Sequence, residues 1–300
     1  MTTRQISKVF KGRPTIEGAG VHLKRAFGYS EVPQFDPFLM LDDFHTSNPN
    51  EYLAGFPWHP HRGIETITYL LEGVVEHGDS MGNKGVIGVG DVQWMTAGSG
   101  VIHQEMPQLS PTGTMWGFQF WANLPASQKM IAPRYRDVKA GDIPEVNLEG
   151  GILVKVIAGE VQGTQGPVKD IVIEPEMLDI SVPAGTDFRH ALPAGHTAFA
   201  YVLQGEGYFD DRRDAYAYEA VGHSWTEVER RCICTPESVI LYEHSGDEIR
   251  VTTADQPLRF LFVSGKPLGE PVAWYGPIVM NSQEELKVAF EEFHNGTFIK

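Results

Sequence analysis

Two histidines two residues apart, His59 and His61, and a second pair with the same spacing, His103 and Glu105, restrict the fold of this chain more than any other feature. Side chains at i and i+2 of a β-strand leave the backbone on the same face. Two such strands facing each other would bring three imidazoles and one carboxylate to one point. That mixed nitrogen and oxygen set suits a divalent transition metal. The absence of a thiolate argues against a structural zinc of the finger type. On a metal that prefers six ligands, four protein donors leave about two positions open for water, oxygen or substrate.

An isolated His-x-His beside Trp58 and Pro60 is ordinarily a turn or a satisfied polar pair. The second pair shifts the balance. His103 and Glu105 follow the apolar, Gly-rich run Trp94-Met95-Thr96-Ala97-Gly98-Ser99-Gly100-Val101-Ile102. Burying them there without partners is costly, and ligation of a common metal removes that cost.

The rest of the chain fits a β-protein. Short runs such as Thr66-Ile67-Thr68-Tyr69-Leu70-Leu71 and Met115-Trp116-Gly117-Phe118-Gln119-Phe120-Trp121 end in Gly or Pro turns, which the 32 Gly and 20 Pro supply. With 300 residues, 42% of them hydrophobic, one large or two ordinary domains can each bury a core. One helix is expected, over 283–294: Ser282 with Glu285 fits a capping box, and Leu286, Ala289, Phe290 and Phe293 form its apolar stripe. Domains are expected at 1–135 and 136–300, the second carrying an insert near 209–237 and closed by that helix.

Net charge is −15, which disfavours direct binding to nucleic-acid phosphates. No run of 18 apolar residues or signal-peptide core is present, so no membrane role is expected. Cys232 and Cys234 are too close for an unstrained disulfide and read as free thiols in a reducing compartment. The expected location is cytoplasmic, with the nucleus as the alternative in a eukaryotic cell.

A weak internal repeat aligns Tyr69-Leu70-Leu71-Glu72-Gly73 with Tyr201-Val202-Leu203-Gln204-Gly205, and Gly90-Asp91 with Gly246-Asp247. It places Ala191 and Pro193 at the positions of His59 and His61, and Arg259 and Leu261 at those of His103 and Glu105. The second half therefore reads as a copy of the fold without the metal.

Gly55-x-x-x-His59-x-His61-x-x-x-Glu65, Gly73, then Gly90-Asp91 and the later His103 resemble the two-part signature of the cupin superfamily. Within it, His59-Pro60-His61-Arg62-Gly63, Gly100-Val101-Ile102-His103-x-Glu105-Met106, Gln119-Phe120-Trp121-Ala122-Asn123-Leu124-Pro125 and Gly276-Pro277-Ile278-Val279-Met280-Asn281 resemble the pirins. The resemblance covers nearly the whole chain. It implies an all-β fold of two cupin (jelly-roll-like) β-barrel domains with a short C-terminal helix, and metal only in the N-terminal barrel.

It further implies iron, normally Fe(II), on His59, His61, His103 and Glu105. The same donors would accept Mn, Co, Ni, Cu or Zn. The general cupin pattern nominates Glu65 as the acidic ligand. We prefer Glu105, which shares a strand with His103, and assign Glu65 to orienting an imidazole. Phe56, Trp58, Trp94, Met106 and Phe118 are the candidate lining of an apolar pocket. Some pirins are similar to quercetin 2,3-dioxygenases, which implies a metal-dependent dioxygenase acting on a flavonol or related small aromatic enol. His61 would then be essential, and Glu105 would be ligand and base. The alternative is a non-enzymatic, iron- and redox-dependent regulator that binds a transcription factor or metabolic enzyme as protein partner.

Overall fold

The computed structural model describes residues 1–213, 215, 217–220 and 228–300. The all-β expectation holds: two β-domains and one C-terminal helix. Strands of the first half are β1 (Ile6–Lys11), β2 (Arg13–Glu17), β3 (Val21–Phe27), β4 (Phe38–Thr46), β5 (Phe56–His61) and β6 (Ile64–Glu72). They continue as β7 (Val74–Asp79), β8 (Lys84–Ile87), β9 (Val92–Thr96), β10 (Val101–Gln108), β11 (Met115–Asn123) and β12 (Arg134–Val138).

The compact unit that carries the histidines comprises Arg13–Asp142 and Leu268–Lys300. Its seven-stranded sheet runs β12-β9-β6-β11-β4-β3-β2, and its four-stranded sheet runs β5-β10-β7-β8. Leu23, Phe44, Leu70 and Met115 of the larger sheet pack with Val75 and Ile87 of the smaller. Burial alternates strictly along β10, so Val101, His103, Glu105 and Pro107 point inward together. The helix α1 spans Gln283–His294 as expected, with both capping-box hydrogen bonds formed and Leu286 and Ala289 buried.

The other unit comprises Met1–Gly12 and Ile143–Pro267. Its sheet is ordered β1, Ser238–Tyr242, Thr197–Gly205, Leu258–Gly265, Glu176–Val182, Leu153–Ala158 and Glu145–Asn147, which matches the first sheet position by position. The units therefore do not divide at the expected 135/136 boundary. The first strand of the chain fills, in the second sheet, the edge position that β12 fills in the first. Residues 268–300, with α1, belong to the histidine-bearing unit. Within the expected insert 209–237, Ala217–Ala220 pairs antiparallel with Val228–Arg231. Residues 214, 216 and 221–227 of that insert lie outside the described residues. Cys232 and Cys234 are free thiols, as expected.

The repeat is real in topology but its residue correspondence is corrected. Strand Asp187–Ala191 pairs with Glu248–Thr252 as β5 pairs with β10. The connection into Thr197–Gly205 is longer than that from β5 into β6, and Gly90-Asp91 precedes β9 whereas Gly246-Asp247 precedes the counterpart of β10, so neither ungapped alignment holds. The inward positions are Phe188 and His190 opposite Val251 and Ile249, not Ala191, Pro193, Arg259 and Leu261. Phe188 and Val251 belong to the apolar core. The Nε2 of His190 is 3.0 Å from Glu176 Oε1. One imidazole against a carboxylate is thus what the second unit keeps at this place.

Candidate metal centre

Antiparallel pairing of β5 with β10 sets His103 opposite His59 and Val101 opposite His61. The three rings converge, with centroids 4.8 Å apart for His59–His61, 4.4 Å for His59–His103 and 4.9 Å for His61–His103. One nitrogen from each lies within 4.8 Å of the others. Among the described residues this is the group of three or more His, Cys, Asp and Glu donors that closes at such a distance.

Hydrogen bonds fix the tautomers. His59 Nδ1 is 2.8 Å from the Pro57 carbonyl, and His61 Nδ1 is 3.1 Å from the Pro277 carbonyl. A carbonyl only accepts, so in each ring Nδ1 carries the proton and Nε2 keeps its lone pair. His103 is fully buried, yet neither ring nitrogen has a partner. An imidazole so placed costs stability unless something ligates it. Burial first, and then the neighbouring imidazoles, hold the His61 and His103 pKa values well below the ordinary range. All three rings are neutral near neutral pH, the form that binds metal. These donors fit a divalent transition metal.

Glu105 faces the same interior but stands outside the 4.8 Å group. Its Oε1 accepts from the Thr68 hydroxyl at 2.8 Å, and burial pushes its pKa up to about 7. Glu65 does not orient an imidazole as expected. Its oxygens accept from Thr96 Oγ1 at 2.7 Å and Trp94 Nε1 at 3.0 Å. The chain turns at Arg62-Gly63 between β5 and β6, so strand parity counted from His61 does not carry across to Glu65.

A cavity of about 720 Å³ opens from the histidines. Of the expected lining residues only Phe56 lines it. Trp58 is 55% exposed, while Trp94 and Phe118 are buried elsewhere in the core. Trp58, Met106 and Phe118 each sit one residue out of phase with cavity-facing His59, Glu105 and Gln119, and so point to the opposite side of their strands. Trp121, Trp274 and Tyr275 supply the aromatic wall instead, with Pro277 beside them. The phase of β11 relative to Gln119 would have indicated Trp121. Nothing local in the sequence indicates residues 274–277, which return from the far end of the chain.

His77, which the sequence does not single out, also stands at this site. Its ring centroid lies 5.4 Å from that of His103 and 5.0 Å from that of Tyr135, and its Nε2 is 3.4 Å from Asp79 Oδ2. The register of β7 on β10, with His77 opposite Glu105, places it there.

Comparison with known proteins agrees with this architecture. The Pirin family profile matches residues 20–122, and the Pirin C-terminal cupin domain profile matches residues 177–299. A pirin-like protein of Caulobacter vibrioides is 43% identical over 299 residues, covering 99% of this chain and 100% of the relative. A Pseudomonas aeruginosa protein provisionally named quercetin 2,3-dioxygenase is 41% identical, covering 98% of this chain and 97% of its own. The crystal structure of a quercetin 2,3-dioxygenase from Acinetobacter baumannii superposes with a TM-score of 0.85 at 30% identity, covering 99% and 98% of the two chains.

Proposed function

The chain belongs to the pirin family, and on that premise we propose that it is a metal-dependent dioxygenase of flavonol-like enols, with iron(II) as its metal. The observation that carries this reading is the pair of unpartnered, fully buried nitrogens of His103 beside the free Nε2 atoms of His59 and His61. Similarity to proteins named for quercetin 2,3-dioxygenase activity supports the substrate class.

His59, His61 and His103 would hold the metal, and Glu105 would join them through the oxygen that does not accept from Thr68. Manganese, cobalt, nickel, copper and zinc suit the same donors. A metal held here supplies Lewis acidity to a chelating enol and redox capacity toward oxygen. The protein residues supply the rest. Glu105, whose pKa burial raises to about 7 in the metal-free protein, would lose that proton on joining the metal, and on detaching it is placed to take the enol proton. Thr68 donates to Glu105 Oε1 and so steadies the carboxylate. Trp121, whose ring centroid is 5.0 Å from that of His61, and Trp274 flank a flat ligand and exclude water from the reacting end.

The test is oxygen consumption with quercetin by metal-stripped protein reloaded anaerobically with Fe(II), beside a His61→Ala control. Uptake in proportion to bound iron, lost in the variant, is expected. No uptake with iron, manganese, cobalt, nickel or copper at full occupancy would sink the proposal.

A further inference from the structure

The cavity has a second pole. On the inner face of the large sheet, register places Thr68 of β6 opposite Gln119 of β11, Gln119 opposite Asp42 of β4, and Asp42 opposite Arg25 of β3. One polar residue per strand thus forms a row across an otherwise apolar floor. The near end touches Glu105 through Thr68, at 2.8 Å. The far end is an ion cluster. Arg25 Nε and Nη2 donate to Asp42 Oδ1 and Oδ2 at 2.9 and 2.8 Å, and Arg25 Nη1 is 2.9 Å from Glu17 Oε1. Gln119, Asp42, Arg25 and Glu17 all line the cavity. Above the row, aromatic rings run outward from the histidines: Trp274 is 5.7 Å from Trp121, and Tyr29 is 5.6 Å from Trp274.

We propose that this far cluster selects the substrate, taking a flat aromatic ligand whose end remote from the histidines carries neutral hydroxyl groups and rejecting one that carries a carboxylate there. The inference rests on the aromatic-enol reading of the site. Two strand spacings, roughly 10 Å, separate Gln119 from Arg25, a span that suits a fused two-ring system with a pendant ring. The bidentate fork of Arg25 is filled by Asp42, so it has no paired donors to offer a ligand carboxylate. Two carboxylates against one guanidinium leave the cluster with an excess negative charge. Hydroxyl protons find charged acceptors there, whereas an anion meets repulsion. Glu17 is the accessible member, with its side chain 42% exposed, while Asp42 is buried beneath Arg25.

The test reads binding without turnover. Protein as purified is titrated under argon, with quenching of tryptophan fluorescence as the signal, since Trp121 and Trp274 line the cavity. Three probes are used: quercetin, with two hydroxyls on the pendant ring; galangin, with none; and a flavonol bearing one carboxylate on that ring. Quercetin is expected to bind about tenfold tighter than galangin, the worth of one hydrogen bond to a charged acceptor, and the carboxylate probe weakest. Glu17→Gln, at a half-exposed site, is expected to narrow the quercetin advantage and strengthen the carboxylate probe. Equal binding of quercetin and galangin, tightest binding of the carboxylate, unchanged ratios in Glu17→Gln, or no quenching by any probe would overturn the inference. Oxygen uptake decides the reaction separately. Its absence with this binding pattern intact would remove the dioxygenase and leave the selectivity, and its presence with a flat binding pattern would do the reverse.

Discussion

The Nδ1 of His61 lies 3.1 Å from the carbonyl oxygen of Pro277, a residue 216 positions later in the chain. That contact sets which nitrogen of His61 is free for a metal, and it does not act alone. Val279 N donates to Arg62 O at 3.1 Å, and Arg62 Nη2 donates to Phe298 O at 2.8 Å. Lys129 Nζ donates to both Gly63 O and Val279 O, at 2.9 and 3.1 Å. The closing segment of the chain is therefore part of the seat of the histidine strand and, through Trp274 and Tyr275, part of the cavity wall.

Metal affinity and intrinsic stability should oppose each other at His103. Both ring nitrogens are buried without partners, so the metal-free fold carries an unmet desolvation cost. His103→Leu is expected to abolish metal retention, read by elemental analysis. In chelator it should raise unfolding stability by about 1–2 kcal/mol, read by urea titration. A variant that keeps its metal, or that is less stable than the metal-free parent, would show that His103 is satisfied in another way.

What the sequence made legible at this site is what strand periodicity preserves. His59, His61 and His103 needed only two strands, each keeping its own i, i+2 phase, and β5 and β10 supply them. The general cupin pattern nominates Glu65, but the turn at Gly63 separates it from the strand that carries His59 and His61, and strand phase does not survive that turn. Trp58, Met106 and Phe118 were misjudged because an aromatic or thioether side chain looks alike on either face of a strand, and only the partner register decides which face meets the cavity. The place of residues 268–300 was not readable at all. Their unit is decided by long-range packing onto Arg62, Gly63 and Lys129, and no local pattern encodes it.

Metal affinity should depend on pH through Glu105. Burial raises its carboxyl pKa to about 7, whereas the His61 and His103 pKa values lie well below the ordinary 6.5. If Glu105 is a ligand, its proton must leave on binding. Affinity should then rise about tenfold per pH unit up to about 7, level off above it, and show no separate histidine step near 6.5. Competition titrations between pH 5.5 and pH 8 check this. Glu105→Gln should flatten the profile, and an unaltered profile in that variant would remove Glu105 from the ligand set.

Glu65 should matter to the fold and not to the metal. Glu65→Ala leaves Trp94 Nε1 and Thr96 Oγ1 without their acceptor, each loss costing about 1–3 kcal/mol for a buried group. Thermal unfolding should therefore drop, while metal content measured well below the transition stays at the parent value. Loss of metal in the folded variant would reinstate Glu65 as a ligand or as the support of one.

Gly63 offers a way to disturb His61 without touching a ligand. It joins β5 to β6 with a φ of +78°, and a Cβ there would meet the Val279 carbonyl oxygen. Gly63→Ala therefore combines a left-handed backbone cost of about 1–2 kcal/mol with outward displacement of the strand Ile278–Met280. That strand follows directly on Pro277, so the carbonyl that holds His61 Nδ1 should move with it. Loss of such an orienting hydrogen bond commonly lowers metal affinity about 10- to 100-fold. Gly82→Ala is the control. Its φ of +89° carries comparable backbone strain, but nothing lies within 4 Å of the added carbon. Both variants should melt earlier than the parent. Only Gly63→Ala should lose metal affinity, and only it should lose amide-exchange protection at Val279. If the two variants bind metal equally well, the closing segment is packing for the histidine strand and does not orient His61.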